Sequence, residues 1–134
     1  MNRERIEREL ARLAEGGQRA ELVTDGNRSV VLYHGVPTAG AAIGLPEASD
    51  VVVPVPDGHP AATIDLAGLP VGSPLLARVK GGTNNQGIVT ADGRQWQLAS
   101  YHPHNGGGAP PYDQNRHGFH TYFDSLVSWL ARLS

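Results

Sequence analysis

The chain has no cysteine at any of its 134 positions. That absence removes disulfides, thiolate metal sites and thiol nucleophiles together, and it suits a reducing compartment. Charge is also sparse. Charged residues make up 18% of the chain, eleven basic against thirteen acidic, for a net charge of −2 spread along its length. Nothing in that distribution marks a phosphate-binding face, so nucleic acid is not an expected partner. No apolar run approaches the length of a membrane span, and the N-terminus reads as a charged helix rather than a signal peptide. No membrane contact and a cytoplasmic location are therefore expected.

What is present is 40% apolar residues, enough for one domain over residues 1–134 to bury a core, punctuated by glycine and proline. Asn2 stands as a cap before NRERIERELARLAEG, where Ile6, Leu10, Leu13 and Ala14 recur at helical spacing until Gly16-Gly17 ends the pattern. Arg3, Glu4, Arg5, Glu7, Arg8 and Arg12 take the opposite face, with Glu4 and Arg8 spaced for an i, i+4 ion pair. That face reads as a solvated surface with weak ion pairs, or as a docking surface.

Residues Ala20 to Val36 predict a hairpin around Asp25-Gly26-Asn27. Pro37 to Ser49 reads as a loop. DVVVPVP follows as a strand whose Pro54 and Pro56 predict an edge position or an early exit from pairing. ATIDLAGL is the next strand, and Leu75 to Val79 a short one. Lys80 to Gly87 is a polar turn without the spacing of a phosphate-binding loop, since its lone Lys80 precedes the glycines. After Gly106 to Gln114, a long loop, the chain closes on a helix from His120 to Leu133 with Phe123, Leu126, Val127, Leu130 and Leu133 on one stripe. The expected fold is α+β: an N-terminal helix, a sheet of about four antiparallel strands, and a C-terminal helix packed on it.

The chemistry concentrates in DGRQWQLASYHPHN, Asp92 to Asn105. Asp92-Gly93 predicts a tight turn, and the alternation beyond it places Trp96, Leu98, Ser100, His102 and His104 on one strand face. A hydroxyl and an imidazole at i and i+2 are the parts of a serine nucleophile and its base. Pro103 cannot donate to a ladder, so the strand is expected to end near His102. His102 and His104 also form HxH, and His117 and His120 form HxxH, which together offer four imidazoles to a metal ion. A hydrolase motif of the deubiquitinase type needs Ser and Asp after HxH, where Tyr112 and Asn115 stand.

The order of these motifs carries a resemblance. VPVPDGHPAATIDLAGLP resembles the third and fourth strands of the ubiquitin-conjugating-enzyme fold, with His59-Pro60 where Tyr-Pro commonly joins them. Gly93, Arg94, Trp96, Ser100 and His102, followed by a polar loop and a helix, resemble a bacterial branch of that superfamily, the prokaryotic conjugating-enzyme-like family E. The resemblance runs from about Val51 to the C-terminus. It implies a UBC-like fold whose partners are a ubiquitin-like protein and its activating enzyme, with no cofactor. On it, Ser100 would take the C-terminal glycyl group as an oxyester, His102 would act as base and Asn105 or backbone N–H groups would hold the oxyanion. Trp96, Tyr101 and His104, with Gly106, Gly107 and Gly108, would line the path of the extended tail.

Two departures bear on this. Matched on Asp92-Gly93, Trp96 occupies the position of the usual catalytic cysteine, which excludes a thioester. His102-Pro103-His104-Asn105 echoes the His-Pro-Asn motif, but after the nucleophile region instead of before it. Acyl transfer, a non-catalytic adaptor and a His-cluster metal site therefore stand together. A bland reading, in which Ser100 satisfies local backbone and His102 covers the end of the core, stands beside them.

Overall fold

Asn2 caps the first helix, its side chain accepting the Arg5 N–H at 3.0 Å. That helix, α1 (Arg3–Glu15), buries Ile6, Glu9, Leu10 and Leu13 and ends at Gly16. The Glu4–Arg8 pair predicted from spacing is not formed among the described residues. The ion pair along this helix joins Arg5 to Glu9 at 2.5 Å, because Glu9 lies on the buried side and needs a cation. The structure is a computed structural model and describes residues 2–79, 87–99, 101, 103 and 111–133.

The described residues form a six-stranded sheet, not the four strands expected. Its strands are β1 (Ala20–Val23), β2 (Val30–Pro37), β3 (Ala48–Pro54), β4 (Ala67–Pro70), β5 (Ile88–Ala91) and β6 (Arg94–Ala99). Their order is β1-β2-β3-β4-β6-β5, with every neighbouring pair antiparallel. The extra strands come from the hairpin around Asp92-Gly93, where both residues take positive φ (55° and 70°), the backbone of a two-residue hairpin turn. β6 then pairs along β4, with Ala67 opposite Ala99 and Pro70 opposite Trp96.

Other expectations are corrected here. β3 is a central strand, not an edge. It tolerates Pro54 because its pairing with β4 is confined to Val52 and Gly68, and Pro54 is its last residue, an early exit. Leu75 to Val79 is not a strand: Pro74–Arg78 forms a 3-10 helix, started by Ser73, whose hydroxyl accepts the Leu75 N–H, and by Pro74 in the first turn. A second 3-10 helix, Gly40–Ile43, lies inside the segment expected as loop.

Alternation along the strands feeds two apolar clusters. Val31, Tyr33, Val51, Val53, Leu69 and Ala99 pack against α1 and α2 (Phe119–Leu133). Val30, Leu32, Val52, Val89, Ala91, Trp96 and Leu98 fill the opposite face. That face is buried because the sheet curls until its ends meet. Thr90 and Asp92 donate N–H groups to Asn27 Oδ1 and Asp25 Oδ1 at 2.9 and 3.0 Å. Gly26 permits the approach, since a Cβ there would stand 1.5 Å from the Thr90 carbonyl oxygen.

The C-terminal helix buries Phe119, Tyr122, Leu126, Trp129, Leu130 and Leu133, so its stripe is centred one residue away from the expected one and leaves Phe123 and Val127 half-buried. Tyrosine hydroxyls fasten it: Tyr33 donates to the Phe119 carbonyl at 2.7 Å, Tyr101 to that of Ser125 at 2.9 Å, and Tyr122 to that of Leu66 at 2.9 Å. No helix among the described residues is long and apolar enough to cross a membrane.

Candidate functional site

Of the residues singled out by sequence, Ser100, His102, His104, Asn105, Gly106, Gly107 and Gly108 lie outside the described residues. Their flank is well defined. β6 delivers the chain to Ala99, which is fully buried and paired with Ala67, and Leu66 N–H donates to the Tyr101 carbonyl at 2.8 Å. Tyr101 is buried with its ring stacked on Trp129, centroids 5.0 Å apart. The chain is thus fixed on both sides of position 100.

Trp96 is a core anchor and not a wall of a tail channel. Its side chain is fully buried and its indole N–H donates to the Ala91 carbonyl at 3.0 Å. Two other hydroxyls downstream of Ser100, those of Tyr101 and Thr121, are engaged. Burial pushes the Tyr101 phenol above its ordinary range, and Thr121 Oγ1 exchanges hydrogen bonds with the backbone of Gly118 at 3.0 Å. Neither is a free nucleophile.

A second polar centre, which the sequence reading passed over, lies where α1 meets the start of α2. Glu9 is 2% exposed and its carboxylate accepts from Arg5 Nε at 2.5 Å, the Phe119 N–H at 2.8 Å and His59 Nε2 at 3.3 Å. Burial alone would push this carboxyl up. The hydrogen bonds from His59, Phe119 and Arg5 outweigh it and hold the group below the ordinary carboxylate value. His59 packs on Phe119, ring centroids 5.0 Å apart, and precedes a cis bond to Pro60. Gly118 makes the burial possible, because a Cβ there would lie 2.5 Å from Glu9 Cδ. The signal was in the sequence: Glu9 stands three residues after Ile6 and four before Leu13, on the apolar stripe. With both oxygens engaged, Glu9 serves as a brace between α1, the turn at His59 and α2, not as a general base.

Comparison with family models, curated proteins and solved structures finds no match to this chain.

Beside Glu9, and lined in part by it, a cleft of about 370 Å³ is bounded also by Arg5, Arg8, Arg12, Arg116, Gln114, Asn115 and His120. His120 Nε2 lies 3.3 Å from Arg12 Nη1, while its Nδ1 is buried without a hydrogen-bond partner. Burial and then the Arg12 charge hold this imidazole below the ordinary histidine range. His117 Nδ1 accepts the Asp113 N–H at 2.9 Å. Among the described residues no group of three or more His, Asp or Glu is placed to hold a metal ion. His102 and His104, the other half of that expectation, lie outside them.

Proposed function

We propose that this chain is a ubiquitin-conjugating-enzyme-like protein that takes part in transfer of a ubiquitin-like protein, with Ser100 as acyl acceptor in place of a cysteine. The observation that supports the reading most is the order of elements: an N-terminal helix, the sequential antiparallel run β1-β2-β3-β4, and a C-terminal helix on the same face of the sheet as α1. This is the arrangement that the resemblance of VPVPDGHPAATIDLAGLP and of Gly93 to His102 implies. A fixed backbone at Ala99 and Tyr101 agrees with it, since a nucleophile needs a rigid mount.

In the proposed step Ser100 Oγ attacks the carbonyl carbon of the activated C-terminal glycine. Its proton passes to His102, the oxyanion is held by Asn105 or backbone N–H groups, and the activating enzyme's leaving group departs with the electron pair. The product is an oxyester. No thiol exists anywhere in the chain to compete for the acyl group.

The test is intact mass after incubation with an activating enzyme, ATP and the ubiquitin-like protein. An adduct released by mild base or hydroxylamine is expected on the wild-type protein and absent from Ser100→Ala. His102→Ala is expected to slow its formation by about 10² to 10⁴. Adduct formation that is equal on Ser100→Ala sinks the nucleophile assignment. Binding of either partner without any adduct turns the reading to a non-catalytic adaptor.

A further inference from the structure

Three of the four arginines of the cleft share one face of α1, and the fold brings Arg116, from the turn before α2, to join them round one concavity in a chain of net charge −2. They are not equivalent. Arg5 is neutralised by Glu9, and its Nη2 is fixed on the Gln114 carbonyl at 2.5 Å, so it forms part of the floor. Arg12 touches the His120 imidazole and, among the described residues, no carboxylate. Arg8 and Arg116 are exposed and form no ion pair among the described residues.

We propose that this cleft binds a phosphate-bearing small molecule through Arg8, Arg12 and Arg116. The one carboxylate in the lining, Glu9, is taken up by Arg5, His59 and the Phe119 N–H, so three guanidiniums are left with no ion-pair partner among the described residues and call for a ligand of more than one negative charge; the planar fork of arginine matches phosphate oxygens two at a time. The amide side chains of Gln114 and Asn115 add neutral donors at the rim. The volume, about 370 Å³, lies in the range of small-molecule sites. No aliphatic or large aromatic side chain lines it, so there is no platform for a nucleobase, and the ligand is a diphosphate or a phosphate on a small polar body. The site is separate from the Ser100 reading, and neither requires the other.

The experiment is isothermal titration of the whole chain with inorganic diphosphate at constant ionic strength, with citrate as the comparator. Saturable one-site binding is expected. Arg8→Gln and Arg116→Gln should each weaken it about tenfold or more, the loss of one charged hydrogen-bonding partner. Both side chains are exposed, so the variants should keep the wild-type fold. Arg3→Gln, on the same helix but outside the cleft, should leave the affinity nearly unchanged. Lack of saturable binding in the millimolar range overturns the proposal. So does equal weakening by Arg3→Gln, which means diffuse charge only, and so does citrate binding as tightly as diphosphate.

Discussion

Replacing Glu9 by glutamine keeps the shape of the side chain and removes the charge that three donors share. An amide offers one oxygen and an NH2 group, so at least one of Arg5, His59 and the Phe119 N–H is left facing a donor in a site that is 2% exposed. Hydrogen bonds to a charged group contribute about 1.5–3 kcal/mol each, and breaking a buried pair costs about 3–5 kcal/mol. Because glutamine retains part of the bonding, we expect a loss of about 2–4 kcal/mol. At about 3 °C per kcal/mol for a chain of this size, Tm should fall by about 6–12 °C. The pH dependence follows from the direction of the shift. The folded-state pKa lies below the ordinary value of 4.5, so the carboxylate's stabilisation is fully present above that pH and is lost as pH falls through the folded pKa. Urea unfolding at a series of pH values should show that this component of the acid sensitivity is missing from Glu9→Gln. A difference under about 0.5 kcal/mol, the range of ordinary surface substitutions, with an unchanged acid slope would refute the account of Glu9 as a brace.

Three further substitutions test the packing. Trp96→Ala empties the centre of the cluster inside the curled sheet and should cost about 3–5 kcal/mol in urea unfolding; a small effect would mean that the indole is not buried. Tyr33→Phe removes the hydroxyl that satisfies the Phe119 carbonyl and should cost about 1–2 kcal/mol by the same assay, where no change would show that water takes its place. Gly26→Ala forces the β1–β2 turn away from β5, so hydrogen exchange at Thr90 and Asp92 should accelerate; unchanged protection there contradicts the contact between the two ends of the sheet.

Much of this architecture was legible in local pattern. Ile6, Leu10 and Leu13 repeat at helical spacing behind the Asn2 cap, and α1 begins and ends where those signals place it. The Asp92-Gly93 hairpin was equally plain, but its place in the sheet was not, because the pairing of β6 with β4 joins segments about thirty residues apart that carry no mutual signal. Leu75 to Val79 looked like a strand by composition, and the Ser73-Pro74 start decided otherwise. Arg5, Arg8 and Arg12 were already legible as one face of α1, but that Arg116 joins them was not, because the turn at Gln114 to Arg116 folds onto that helix from about a hundred residues away. Glu9 shows the other kind of miss: a charged residue on an apolar stripe, where a buried pair was the reading to make.

Tandem mass spectrometry of the adduct formed with the ubiquitin-like protein, after proteolysis, locates the residue that accepts the acyl group. The C-terminal glycyl remnant is expected on Ser100, and mild base should remove it. A base-stable remnant on Lys80, or one on Tyr101 or Thr121, would contradict that assignment.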